Sequence, residues 1–229
     1  MRTVIAGGHG QIARRLTRLL TARGDQVVSM VRQPAHLPDV EHDGALGVLL
    51  DLESASVDQV ASSVSGSDCV VFAAGAGPGS GLARKDTVDR AAASLVADAA
   101  ETAGVRRLVQ ISSMGTDLVS HGEVPEGMDE VFLAYLRAKS AAESDLRARQ
   151  GLRATILRPG RLTDDAGSGL VTLAPHVPRG AVPRDDVAAV VAALLDEPGT
   201  AGMTLELTGG TTPVVDAVAA LIAPTQEAR

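Results

Sequence analysis

The sequence predicts an α/β fold, a doubly wound parallel sheet with a small C-terminal cap. Three observations carry this. Short β-branched runs alternate with longer amphipathic stretches as far as Pro159. Those runs are almost continuously apolar, which marks strands covered by helices on both faces. Beyond Pro159 the alternation gives way to chain broken by Pro and Gly.

Each element follows from its pattern. Thr3–Ala6 reads as a strand, and Gln11–Ala22 as a helix with Ile12, Leu16, Leu19 and Leu20 on one face. Arg14, Arg15 and Arg18 take the opposite face, and Gly24 is the helix stop. Gln26–Val31 is a second strand. Gly47–Leu50 is a third, after a loop rich in Pro, His and Asp. Val57–Val64 reads as a helix and Cys69–Ala73 as a fourth strand. A Gly-rich loop, Gly75 to Gly81, opens a long helix near Lys85–Gly104. Arg107–Ile111, the helix Asp129–Gln150 and the strand Ala154–Leu157 continue the alternation. Residues 160–183 read as a small irregular cap on the substrate side. The helix Arg184–Leu195, the strand Met203–Leu207 and the helix Pro213–Ile222 follow. The polar tail from Pro224 is expected to fray. No internal repeat or linker interrupts the chain, so residues 1–229 read as one domain.

Composition narrows the function. The 229 residues are 45% apolar but hold three aromatics, Phe72, Phe132 and Tyr135. The core must therefore be aliphatic, and base stacking on aromatic rings has little to work with. A formal charge of −7 repels phosphate backbones, so no nucleic-acid partner is expected. The single Cys69 cannot form an internal disulfide, which suits a reducing cytoplasm. The five histidines (His9, His36, His42, His121, His176) lack zinc-ligand spacing, and no metal is expected. The longest apolar candidate, Val187 to Leu195, is too short to span a membrane. The start, Met1-Arg2-Thr3, is too brief for a signal peptide. A small-molecule substrate and a monomer or homodimer are the expected partners.

The first strand runs into Gly7-Gly8-His9-Gly10-Gln11-Ile12-Ala13. Gly8-x-Gly10-x-x-Ala13 fits the dinucleotide fingerprint, and Gly7-x-x-Gly10-x-x-Ala13 the wider spacing of short-chain dehydrogenases. Glycine is needed where the chain turns tightly and where backbone approaches a pyrophosphate. The helix start at Gln11 offers free N–H groups to phosphates. The motif lies directly between a strand and a helix, the context it requires, and this makes the predicted fold Rossmann-type. NAD binders place an acid about 20 residues on, to hold the ribose 2′-hydroxyl. Here that place holds Arg32, and a guanidinium suits a 2′-phosphate. NADP is therefore the expected cofactor, with NAD possible. Asp51 and Leu52 end the third strand at the crevice, where Asp51 suits the adenine amino group or a turn.

The fifth strand ends in Ser112-Ser113, and Tyr135-x-x-x-Lys139 lies on the following long helix. Residues at i and i+4 share a helix face. A phenol is a poor acid near neutral pH, and a neighbouring ammonium favours its ionised form. With a serine hydroxyl to hold a substrate oxygen, these groups make a proton-transfer device.

Together these stretches resemble the atypical short-chain dehydrogenase/reductases, the NAD(P)H-binding, NmrA-like group. The likeness continues through Ala73-Ala74-Gly75, Ile156-Leu157-Arg158-Pro159-Gly160 and Val182-Pro183-Arg184-Asp185-Asp186, in the family's order. It implies Tyr135 as acid/base, Lys139 on the nicotinamide ribose, and Ser113 as the catalytic hydroxyl with Ser112 beside it. It implies that Ala73, Ala74 and Gly75 pass under the cofactor and that Pro159 and Gly160 touch its nicotinamide side. The expected activity is NADP-dependent oxidoreduction of a small carbonyl, quinone or flavin-like substrate. The alternatives are a non-catalytic NADP(H) sensor and a sugar-nucleotide epimerase or dehydratase. Arg161 and Arg179 are read as surface cations rather than substrate ligands.

Overall fold

The computed structural model of the chain describes residues 1–77, 79–120 and 127–223. The tail from Pro224, His121 and Pro78 of the Gly-rich loop lie outside the described residues. Seven parallel strands form the body of a nine-stranded sheet. They are β1 (Arg2–Ala6), β2 (Gln26–Val31), β3 (Leu46–Leu49), β4 (Cys69–Phe72), β5 (Arg107–Ile111), β6 (Arg153–Pro159) and β10 (Thr204–Gly209). Their spatial order is β3-β2-β1-β4-β5-β6-β10. The chain thus begins mid-sheet, winds outward to β3, returns to lay β4 against β1, and winds out the other way. Helices α1 (Gln11–Ala22), α2 (Leu37–His42), α3 (Val57–Val64), α5 (Ala92–Thr102), α7 (Glu130–Ala148), α8 (Arg184–Asp196) and α9 (Val214–Ala220) cover it, with the short α6 (Thr116–Ser120) packed against α7.

The strands' side-chain alternation divides the core. Ile5, Val71, Val109, Leu157 and Leu205 pack with Leu16 and Leu20 of α1 and Val187 and Val191 of α8. Val4, Val70, Leu108 and Ile156 point the other way, to Val60 of α3, Val96 of α5 and Leu146 of α7. Both layers are aliphatic apart from Phe72. Period two in every central strand produces this split.

The register sets the site. Ala6 lies level with Met30 of β2 and Phe72 of β4, so the loops after β1, β2 and β4 emerge at one height. The winding reverses between β1 and β4, and such a reversal opens a crevice at the strands' carboxyl ends.

Three expectations need correction. On α1 the buried stripe is Ala13, Leu16, Thr17 and Leu20, while Leu19 is 43% exposed. The i, i+3, i+4, i+7 spacing selects those four. The long helix after the Gly-rich loop is not uniform. It comprises α4 (Leu82–Arg84), a π-helical segment Lys85–Ala91, and α5. Residues 160–183 are not irregular throughout. Within them β7 (Arg161–Thr163) pairs with β9 (Ala181–Pro183), and β8 (Leu170–Ala174) runs antiparallel to β10. A two-residue strand, β11 (Thr212–Pro213), completes that edge. Strands of three to five residues between Pro and Gly are too short to display alternation in sequence.

Candidate active site

Each glycine of the first turn has its own reason. Gly7 has φ +83°, and a Cβ there would fall 2.6 Å from Ala74 Cα. A Cβ on Gly8 would fall 2.5 Å from Ser29 Cβ. These two seat the turn against β4 and β2. Gly10 is free of such crowding; its nearest neighbour to an added Cβ is Gly7 O, at 3.2 Å. Gly10 lines the crevice instead. It also begins α1, whose N-terminus carries no side-chain cap. The first-turn N–H groups and the positive end of the helix dipole are therefore available to an anion.

One arm of the crevice runs under β2 and β3. Arg32, Asp51, Leu52 and His9 line it, with Ala73, Ala74 and Gly75 along its floor. Asp51 Oδ1 accepts the Glu53 N–H at 3.0 Å and so closes a turn. His9 Nε2 lies 2.7 Å from Asp39 Oδ2, and its ring stacks on His36 with centroids 3.6 Å apart. Arg32 reaches the Glu53 carboxylate at 3.4 Å, and Arg84 meets the same carboxylate at 2.6 Å. Hydrogen bonds from Arg84 and Thr87 hold the Glu53 carboxyl below the usual carboxylate range.

The other arm runs toward α7. Gln11, Ile12, Ser112, Ser113, Tyr135, Lys139 and Pro159 line it. Asp129 caps α7 by accepting the Phe132 N–H at 2.9 Å. Ala73, Ala74, Gly75 and Gly10 are common to both arms, so the crevice is continuous. The site residues proposed from the sequence line this one crevice apart from Gly8, which packs against Ser29 of β2.

Beside Tyr135 the π-helical segment packs against α7, and two of its side chains, Lys85 and Asp89, meet Tyr135 and Lys139 there. Lys139 Nζ lies 3.2 Å from Asp89 Oδ1 and donates to Ile111 O at 3.2 Å and Ala74 O at 3.5 Å. Asp89 is fully buried, and its second oxygen accepts the Ala76 N–H at 3.3 Å. The Lys139–Asp89 contact is an ion pair rather than an aligned hydrogen bond, since Oδ1 has no hydrogen-bond donor in line. One turn earlier Lys85 Nζ sits 5.4 Å from the Tyr135 ring centre and donates to Gly77 O. Lys139 Nζ lies 5.9 Å from the same ring. Two ammonium groups therefore face one phenol, at cation–π distance. π-helical turns concentrate at functional sites, and here one directs Lys85 and Asp89 to the same place.

Ser113 is half-buried and its hydroxyl donates to Met114 O at 3.1 Å. Ser112 is turned inward and donates to Glu143 at 2.5 Å. Glu143 is fully buried and also accepts from Thr116, Arg147 and both nitrogens of an Arg158 fork. This hub ties the end of β5 and the end of β6 to α7. Arg161 and Arg179 are exposed.

Cys69 is buried, and desolvation pushes its thiol up to about 11. It is not a nucleophile. Among the described residues no three His, Cys, Asp or Glu groups gather to hold a metal, and no helix is long and apolar enough to cross a membrane.

Sequence reading missed Asp89, Lys85, Glu143, Glu53 and Arg84. Glu143 had a signal, because Tyr135, Lys139 and Glu143 repeat every four residues on one helix. The others had none, since their partners are distant in sequence.

These features fit a bound dinucleotide: a bare-backbone turn, an uncapped helix start and a crevice with a cationic residue at each end. The comparisons agree. The profile of the NAD(P)H-binding family matches residues 7–198. The uncharacterized sugar epimerase YhfK of Bacillus subtilis is 36% identical over 219 residues, 95% of this chain and 99% of that protein. A putative NAD-dependent epimerase/dehydratase from Bacillus halodurans superposes with a TM-score of 0.86 at 34% identity, covering 96% of this chain and 99% of that one. ChuY, an anaerobilin reductase from Escherichia coli O157:H7, superposes at 0.77 with 25% identity, covering 91% and 97%. The chain belongs to the NAD(P)H-binding family of Rossmann-type proteins.

Proposed function

We propose that the protein is an NADP(H)-dependent oxidoreductase of the atypical short-chain dehydrogenase type, acting on a small carbonyl, quinone or flavin-like substrate. One observation carries the reading. Tyr135, Lys139 and Ser113 line one arm of a crevice whose other arm holds Arg32, with the glycine-rich turn between. In this reading Gly7, Gly8, Gly10 and the first turn of α1 hold the pyrophosphate. Arg32 takes the 2′-phosphate, Asp51 and Leu52 flank the adenine, and Ala73, Ala74, Gly75 and Pro159 floor the site. The nicotinamide, when bound, supplies or accepts the hydride.

The chain's own residues manage the proton. The Tyr135 hydroxyl donates to the substrate oxygen as that oxygen gains charge. The charge left on the ring faces Lys85 and Lys139, at 5.4 Å and 5.9 Å. Asp89 and two carbonyls keep Lys139 in place. The Ser113 hydroxyl swings from Met114 O to hold the substrate oxygen. Phe132, 6.0 Å from the Tyr135 ring, offers the mouth of this arm an apolar flat surface.

The test mixes the protein with NADPH and a panel of carbonyls, quinones and flavins, then repeats it with Tyr135→Phe. The expected result is NADPH oxidation with at least one substrate, reduced at least ~100-fold by the substitution, with cofactor affinity unchanged. Binding without turnover across the panel, indifferent to the substitution, replaces the enzyme reading with a cofactor-sensing one. The B. subtilis relative is named a sugar epimerase, and the second reading is a sugar-nucleotide epimerase or dehydratase. Interconversion of a sugar nucleotide without net NADPH consumption would establish it. The short segment 160–183 speaks against it, because a sugar nucleotide needs a larger lid.

A further inference from the structure

Three contacts in the β2–β3 arm converge on one carboxylate. Glu53 accepts from Arg84 at 2.6 Å and Thr87 at 2.7 Å, and lies 3.4 Å from Arg32. Arg84 and Thr87 belong to α4 and the π-helical segment, while Glu53 follows β3. The carboxylate therefore bridges two walls of the crevice. Arg84 is half-buried, whereas Glu53 and Arg32 are exposed residues whose side chains keep 25% and 44% of their surface. Two guanidiniums aimed at one point form an anion site, and the chain fills it with its own acid.

We infer that Arg84 is a second reader of the cofactor's 2′-phosphate and that Glu53 is its built-in competitor. The inference rests on the NADP reading above and extends it to two residues that the glycine fingerprint does not involve. The chemistry favours exchange. Arginine stays charged, so the pair always needs an anion. A phosphomonoester carries up to two charges and three acceptor oxygens, and can satisfy two guanidiniums at once. A carboxylate carries one charge and is already shared with Thr87. A 2′-phosphate takes the arginines from Glu53, and the released carboxylate remains close enough to oppose it. NAD carries no such phosphate, so it leaves the Glu53 contacts intact. Glu53 thus sets how far the site prefers one cofactor over the other, and ties the α4 wall down when neither is bound.

The experiment measures Kd for NADP+ and NAD+ by calorimetry on the full chain and on E53Q, R84Q and R32Q. E53Q should bind NADP+ about tenfold tighter, and R84Q about tenfold weaker, the worth of one charged hydrogen bond. NAD+ affinity should move less than about threefold in both, which also shows that the variants are folded. An NADP+/NAD+ ratio unchanged in R84Q, or NADP+ binding unchanged or weakened in E53Q, overturns the inference. R32Q separates the two levels. If R32Q also leaves the ratio unchanged, the NADP reading itself has failed. If R32Q alone shifts the ratio, that reading stands and Arg84 and Glu53 are structural.

Discussion

Lys139 has no solvent to spare it: its side chain is 4% exposed, and Asp89 opposite is fully buried. A buried ammonium without a counter-charge is costly, and removing one partner of such a pair typically costs about 3–5 kcal/mol. Asp89→Asn keeps an oxygen for the Ala76 N–H and loses only the charge. Its unfolding free energy should fall by about 3 kcal/mol, read as a lower denaturant midpoint with an unchanged slope. Turnover should fall as well, because Lys139 then settles wherever the carbonyls of Ala74 and Ile111 leave it. Unchanged stability would mean that the ion pair contributes nothing. The sequence made Lys139 visible, through its spacing from the only tyrosine. It left Asp89 hidden: a lone acid 50 positions earlier gains meaning only when the π-helical segment lies against α7.

Elements differ in how openly the sequence announced them. β1, β2, β4 and β5 are short apolar runs between Gly, Asp and helix stops, and the structure keeps their bounds within about a residue. Helix α3 is announced by Ser56 and Gln59, which form a reciprocal capping box. By contrast β7, β8 and β9 owe their existence to partners far along the chain. The π-helical segment is invisible because one extra residue per turn barely disturbs an apolar stripe. The first turn lies between these cases, since its motif shows which residues are glycine but not why. The structure separates two reasons, and a pair of variants tests them. Gly7→Ala forces a side chain into left-handed backbone and onto Ala74, and should destabilise the fold by about 1–3 kcal/mol or more. Gly10→Ala sits at φ −60° with its nearest neighbour, Gly7 O, at 3.2 Å, so it should lower the melting temperature less than Gly7→Ala does. Its methyl group instead narrows the approach to the α1 N-terminus, so NADP+ affinity should fall. Equal loss of stability in both variants would show that Gly10 too is there for packing.

At the scale of the molecule the three aromatic side chains gather at one place. Phe72 lies 5.6 Å beneath the Lys139 ammonium, Tyr135 stands a turn away, and Phe132 flanks it. Phe132 and Tyr135 line one arm of the crevice, and Phe72 lies in the core beneath it. That arm belongs to the half of the sheet beyond β4, whereas Arg32, Asp51 and Glu53 belong to the half before it. A ligand spanning the crevice therefore fastens both halves together, and its binding energy becomes folding energy. NADP+ at 100 times its Kd should add about 2.7 kcal/mol of stability. For a chain of this size that amounts to a rise in melting temperature of roughly 5–10 °C. NAD+ at the same concentration should give a smaller rise, because it carries no 2′-phosphate to draw Arg32 and Arg84 from Glu53. The difference between the two shifts should shrink in R32Q, where Arg84 alone is left to read the phosphate, while the smaller rise persists, since the glycine turn and the α1 N-terminus serve both cofactors. Equal shifts in the unaltered protein would instead mean that the site does not discriminate between the two cofactors and that Arg32 reads no 2′-phosphate.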